Sequence, residues 1–363
     1  MDSPNQNAVT EGKLPARRVP AEWEPQRAVW IAWPHSLETW PGHFDPIPDV
    51  FRRFINAIAQ SLPVHVIGPS EYRSVARIEQ LPNVRWFDVP TNDSWIRDYG
   101  PTFVFGDPGA TSDGDDLAID WRFNAWGGKY PPWDDDDQAT KSVIELAGWR
   151  GVEGGLCLEG GALEWDGTGR LLTTTDCLVT PTRNPGWSKQ QIADRLADLT
   201  GTREIVWVDG GGLVGDDTDG HIDQLARFVD PQNVVVAVCE DPEDPNHDGL
   251  WANHRLLQQW GQTTSPRVAV HPLPIPPPRS VDSTRVPESY CNFLRLGPER
   301  LLVPSFGNRR SDQAAVGLLT DLAQQATPGV QVTTVDSRDL VWGLGALHCA
   351  SLNEPLRSTA TGG

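Results

Sequence analysis

At 363 residues the chain is long enough for one large α/β domain or two domains of average size, and either buries a sizeable core. A formal net charge of −19, from 49 acidic against 30 basic residues, argues against a nucleic-acid partner and favours a cationic one. No apolar run approaches the length of a membrane span, and five dispersed cysteines without a Cys-x-x-Cys pair argue against a disulfide framework or a structural zinc site.

Met1 to Ala16 is polar and has no apolar segment behind a basic start, so residues 1–18 read as a frayed tail and the protein as cytoplasmic. Strand-like Val29 to Trp33 is followed by amphipathic Asp49 to Leu62, strand-like Val64 to Ile67, a second helical run from Glu71 to Leu81, and strand-like Val84 to Val89. Asp107 to Asp116 and the acidic run Asp134 to Asp137 read as surface loops. A four-part unit then appears: Leu156 to Trp165, Arg170 to Val179, helix Ser188 to Leu199 and strand Glu204 to Val208. Its second copy is Ile222 to Val229, Val234 to Val238, helix Trp251 to Gln262 and strand Val268 to Val270, with a polar loop at Asp241 to Asp248. Pro272 to Arg279 reads as a rigid loop inside the repeat. The third copy is Asn292 to Leu296, Leu301 to Val303, helix Asp312 to Gln325 and strand Val330 to Thr334. A strand, strand, helix, strand unit that recurs this way predicts a radially repeated α/β architecture in a single domain, residues 19–355, with residues 356–363 as a second tail.

Chemistry-bearing residues fall in five clusters near strand ends. Gly343 to Cys349 is a glycine-broken turn ending in one thiol, whose glycines are expected to supply positive φ, and Cys349 reads as a nucleophile. Asp217 to Asp223 places His221 between carboxylates, the partner such a thiol needs. Asn92 to Pro101 packs Asp93, Arg97 and Asp98 with Trp95 and Tyr99, where a local pairing of Arg97 with Asp93 or Asp98 is the plain structural reading. Leu158 to Ala162 contributes Glu159 beside paired glycines, and Ser289 to Phe293 contributes Asn292. Carboxylates are natural receptors for a guanidinium, so a thiol among several of them points to attack on a guanidino carbon. A cysteine protease would want a backbone oxyanion hole and no such acids.

On these residues, together with Ala21 to Pro25 and Trp30 to Pro34, the chain resembles the agmatine deiminase and bacterial peptidylarginine deiminase family of the pentein superfamily. The resemblance implies a five-bladed α/β propeller of ββαβ units around a central site. It implies Cys349 as nucleophile, His221 as general acid and base, and Asp98 and Asp223 as guanidinium-binding carboxylates, with Trp95, Glu159, Asp217 and Asn292 lining the substrate site. It implies no metal or organic cofactor, a small cationic guanidine as partner, and a homodimer, although no feature of the sequence demands one. The chain departs from the agmatine enzymes in Gly343-Leu344-Gly345, in Ala350 to Asn353, in Gln224 and in Trp33 to Trp40, where an Arg-containing loop is common. Agmatine, free arginine, a peptidyl arginine and another alkylguanidine therefore stay open as substrates. From other classes, His221, Asp223, His348 and Cys349 could ligate a divalent metal, or the chain could be a non-catalytic binding protein.

Overall fold

The computed structural model describes residues 17–106 and 116–357. Met1 to Ala16, nearly all of the Asp107 to Asp116 loop and residues 358–363 lie outside the described residues.

Five sheets share a three-strand unit. In each, one strand pairs antiparallel with one neighbour and parallel with another reached over a helix, as a βαβ crossover requires, and one of the five adds a fourth, parallel strand at Val84–Asp88. The second sheet is β4 (Thr102–Val104), β5 (Leu117–Arg122) and β6 (Arg150–Cys157), with helix Asp134–Ala147 before β6. The third is β7 (Glu164–Trp165), β8 (Arg170–Thr173) and β9 (Glu204–Trp207) with helix Lys189–Thr200. The fourth is β10 (Ala226–Asp230), β11 (Asn233–Val238) and β12 (Ala269–Pro274) with helix His247–Thr263. After a hairpin of β13 (Ser280–Val281) and β14 (Thr284–Arg285), the fifth is β15 (Leu294–Leu296), β16 (Arg300–Ser305) and β17 (Gln331–Asp336) with helix Arg309–Ala326. The first sheet is β1 (Gln26–Ala32), β2 (Val64–Gly68) and β3 (Val84–Asp88), and its antiparallel strand comes from the other end of the chain, β18 (Leu352–Pro355).

Helix Ile47–Ala59 shows why the helices form where they do. Its buried residues are Ile47, Val50, Phe51, Phe54, Ile55, Ile58 and Ala59, the i, i+3, i+4 stripe of an amphipathic helix laid on a sheet. Strand β1 carries buried residues on both faces from Ala28 to Ala32, as a strand covered on both sides should.

Several expectations are corrected. The segments read as strands at Arg170 to Val179 and Ile222 to Val229 each hold one helical turn, Thr175–Leu178 and Ile222–Leu225, and the Pro272 to Arg279 loop begins inside β12. The helix anticipated over Glu71 to Leu81 shrinks to a 3-10 turn at Ser70–Tyr72 and one turn at Arg73–Ala76, because only Ala76 and Ile78 are buried and Arg77 takes a left-handed φ of 53°. The strand read as Leu156 to Trp165 splits into β6, a turn at Gly160–Ala162 and β7. The Asp134 to Asp137 run is the first turn of a helix, where four carboxylates favour the positive end of the helix dipole. That acidity hid the helix, and with it the whole second unit. Asp136 is buried and accepts from the Asn92 and Asp93 backbone N–H groups, so this carboxyl is structural, and its burial beside Asp93 pushes it toward the neutral form. Both predicted tails also lose ground: Arg18 bridges Phe105 and pairs with Glu24, while the Leu356 N–H donates to the Pro25 carbonyl.

The repeat places chemistry. In all five sheets the segment just before the antiparallel strand carries a site residue: Asp98 before β4, Glu159 before β7, His221 and Asp223 before β10, Asn292 before β15 and Cys349 before β18.

Candidate active site

Cys349 sits in a helical turn, where the Ala350 N–H donates to the Ala346 carbonyl and the Ser351 N–H to the His348 carbonyl. The glycines upstream act differently from the expectation. The left-handed φ of 69° belongs to Leu344. Gly343 and Gly345 are needed for room, since a Cβ at either would lie 2.7 or 2.6 Å from the Trp95 ring. Trp95 is thereby locked against this turn and against Trp40, with ring centroids 5.5 Å apart.

The Asn292 side chain organises the turn around Cys349. Its Nδ2 donates to Cys349 Sγ at 3.0 Å, and its Oδ1 accepts from the backbone N–H groups of His348 at 3.0 Å and Cys349 at 3.3 Å. Asp223 Oδ2 lies 3.5 Å from the same sulfur and accepts from His348 Nδ1 at 2.7 Å. Its Oδ1 is buried with no partner in the protein. Asp98 accepts from Trp126 Nε1 and from the Gly161 N–H, both at 3.0 Å. Gly161 is a true close approach: a Cβ there would lie 2.6 Å from His221 Nδ1, 2.7 Å from Asp98 Oδ1 and 3.2 Å from Asp223 Oδ2. One point thus touches His221 and both carboxylates.

His221 is fully buried between Asp98 Oδ1 at 3.5 Å and Glu159 Oε2 at 3.7 Å. Both ring nitrogens fall just short of a hydrogen bond. Burial alone would favour the neutral ring, but the charges of Asp98 and Glu159 outweigh it and lift His221 to about 9. Burial likewise raises Asp98 to about 6, against the lowering by His221. Asp223 is buried too, yet the His348 contact holds it below the ordinary carboxylate value. Glu159 is held low in spite of burial by His221 and by Arg183, whose Nε reaches its two oxygens at 2.8 and 2.9 Å. Burial beside Asp223 and Asp98 pushes the Cys349 thiol well up, so the resting group is a thiol and a positive ligand among these carboxylates would favour the thiolate.

A cavity of about 650 Å³ opens onto Cys349, Asp98 and Trp95. Its lining is acidic, with Glu38, Asp93, Asp136 and Asp217 among the described residues, and it contains no arginine. Its one lysine, Lys129, is paired with Asp219 at 2.8 Å. His35, Ser36, Glu38 and Thr39 also line it, so the segment in which the chain departs from the agmatine enzymes faces the cavity.

The structure brings Cys349, Asp98, Trp95 and Asp217 to the cavity wall and sets His221, Asp223, Glu159 and Asn292 behind it. Asp217 lies toward the mouth, accepting from the Tyr130 hydroxyl. Glu159 and Asn292 were expected to line the substrate site; they support His221 and Cys349 instead. The local Arg97 pairing is also corrected, because Arg97 reaches Glu22 at 3.1 Å and Asn353 Oδ1 at 2.8 Å. Missed altogether were Arg183, Glu22 and the two-sided grip on His348, whose Nε2 meets Glu22 Oε1 at 2.7 Å. These partners lie far apart in sequence, and no local spacing signals them. The metal reading finds no support in the geometry: both His348 ring nitrogens are engaged by carboxylates, and among the described residues no three His, Cys, Asp or Glu side chains are arranged to hold an ion.

Residues 18–355 match the profile of a family described as Porphyromonas-type peptidyl-arginine deiminase. The agmatine deiminase of Pseudomonas syringae pv. tomato is 33% identical over 361 aligned residues, covering 93% of this chain and 95% of that one. The solved agmatine deiminase of Enterococcus faecalis superposes with a TM-score of 0.85 at 28% identity, covering 95% and 98% of the two chains. The substrate-bound agmatine deiminase of C. jejuni superposes with a TM-score of 0.83 at 28% identity, covering 97% and 100%.

Proposed function

From the premise that this chain belongs to the Porphyromonas-type peptidyl-arginine deiminase family, we propose that it hydrolyses the C–N bond of a small guanidine, converting agmatine to N-carbamoylputrescine and ammonia. The observation that carries this reading is the convergence of a buried histidine and two buried carboxylates on a single point, with the Cys349 thiol 3.5 Å from one of those carboxylates, beside an acidic cavity.

A guanidinium carbon is a poor electrophile, because its charge spreads over three nitrogens, so the site must fix its plane and protonate a leaving nitrogen. Asp98 and Asp223 take the guanidinium N–H groups. The bound cation favours loss of the Cys349 proton to solvent through the cavity, and the thiolate sulfur bonds to the central carbon. His221, protonated at neutral pH, gives its proton to one terminal nitrogen, which leaves as ammonia with the C–N electron pair. An amidino-thioether remains on Cys349. Water, deprotonated by His221, adds to that carbon; the C–S bond breaks, its electrons return to sulfur, the O–H proton passes to solvent or back to the thiolate, and the neutral ureido product departs. Glu159, oriented by Arg183, keeps His221 in place through both transfers. No step calls for a metal or an organic cofactor.

Agmatine is favoured over free arginine by charge. An α-carboxylate in the cavity would face Glu38, Asp93 and Asp217 and a lysine already paired, whereas the amine of an aminoalkylguanidine is welcome beside Asp217. Five sheets sharing one three-strand unit, each bringing a site residue to the same place, support a single five-bladed propeller domain over residues 19–355 with the site on its axis. A cytoplasmic homodimer completes the reading, and light scattering on a sizing column tests the assembly. The test of function is ammonia and ureido release from agmatine, arginine and a blocked arginine peptide, with Cys349→Ala alongside. Turnover of agmatine that vanishes in the variant is expected; preference for the peptide would reassign the substrate.

A further inference from the structure

We propose that His348, which takes no part in the steps above, is a positioning residue that holds Asp223 with Oδ2 bound and Oδ1 free for the guanidinium. The proposal rests on the deiminase reading.

Asp223 Oδ2 is committed to His348 Nδ1 at 2.7 Å, while Oδ1 is buried without a donor. A buried carboxylate oxygen with no partner costs free energy, and a guanidinium N–H is the donor it lacks. The Cys349 thiol lies 3.5 Å from the same Oδ2, so His348 and the thiol converge on one oxygen and the carboxylate is pinned with Oδ1 left over. The other nitrogen of His348 meets Glu22 Oε1 at 2.7 Å, so each ring nitrogen faces a carboxylate oxygen. Glu22 is itself gripped by Arg97 at 3.1 Å and Arg227 at 2.9 Å. Arg227 is fixed in turn by Glu164 at 2.7 Å and by the Cys291 and Phe293 carbonyls. The imidazole is therefore anchored from behind by two arginines and aims one N–H forward.

The ring does not touch substrate. His348 faces a separate small cleft with Glu22, Arg97 and Asn353, and no residue lines both this cleft and the catalytic cavity. Its effect on the reaction passes through Asp223.

The test compares His348→Asn with His348→Gln, using agmatine as substrate. An asparagine amide stands where Nδ1 was and can still donate to Asp223; a glutamine amide stands where Nε2 was and can still donate only to Glu22. We expect His348→Asn to keep kcat within about tenfold of the parent, and His348→Gln to lose roughly 100-fold in kcat/KM, through both a raised KM and a lowered kcat. Equal losses in the two variants, or a worse asparagine variant, would assign the residue to scaffolding and overturn the proposal. Thermal midpoints of both variants separate loss of fold from loss of position. Should either fail to fold, NMR of the parent labelled with 15N-histidine decides, because a His348 Nδ1 without a proton at neutral pH also overturns it. If the parent turns over neither agmatine, arginine nor an arginine peptide, the deiminase reading falls and this one with it. Turnover by the parent with both variants equally impaired sinks the His348 assignment alone.

Discussion

Two histidines lie within reach of Asp223's surroundings, and they are held in opposite ways. His348 has a carboxylate oxygen at 2.7 Å on each nitrogen, whereas His221 has its carboxylates at 3.5 and 3.7 Å and completes no hydrogen bond. Both are buried among acids. The contrast teaches that burial with counter-charge can serve either purpose: short contacts freeze a proton in place, and slightly long ones keep it charged yet transferable. A group that must give a proton away and take one back cannot be bound like an anchor.

The sharpest way to break the comparison is to remove the loose histidine. His221→Gln is expected to lower kcat by about 10³, with an unchanged fold by circular dichroism, because general acid-base catalysis contributes on that order. A residual rate like that of His348→Asn would show that the two rings are interchangeable and end the distinction. Next in size is Gly161→Ala, whose methyl would sit 2.6 Å from His221 Nδ1 and 2.7 Å from Asp98 Oδ1. Steady-state kinetics should show roughly a 100-fold loss in kcat/KM, since an ångström of misplacement at the reacting centre costs about that much.

The pH profile sharpens the same contrast. Free-enzyme groups govern kcat/KM. Asp98, raised to about 6, loses the charge that binds the guanidinium as pH falls below that value, so activity declines about tenfold per unit on the acid side. His221, raised to about 9, loses its transferable proton as pH rises past it, and activity declines again. A flat profile between pH 5 and 10 would remove both groups from the mechanism. The smallest effect belongs to the cavity mouth. Asp217→Asn should raise KM for agmatine several-fold with little change in kcat, the mark of uniform binding lost in one surface-near charge contact.

Much of this site was legible because its residues sit in short, distinctive runs. Cys349 after paired glycines, His221 between acids and Asp98 beside Arg97 can each be read from a few neighbours. What the glycines do could not be read. The expected positive φ fell on Leu344, and Gly343 and Gly345 turned out to admit an indole ring from another part of the chain. The same holds for His348: its chemistry depends on Glu22, which lies 326 positions away, and on Asp223, 125 positions away. The fold was legible where apolar period was clean, as in Ile47–Ala59, and was lost at Asp134–Ala147, where four carboxylates opening the helix looked like a loop.

The pairing of β1 with β18 carries a consequence for how activity arises in time. Val29 lies opposite Asn353, so the strand just after the nucleophile finds its partner across nearly the whole length of the described chain. Such non-local contacts form late, because a long loop must close before they return any stability. A ribosome-bound chain can order its middle units early while Cys349 still has neither Asn292 nor Asp223 beside it. The thiol is expected to become competent only as the C-terminal segment docks onto Asn292 and Asp223, 57 and 126 positions upstream, which ties the onset of catalysis to the end of folding.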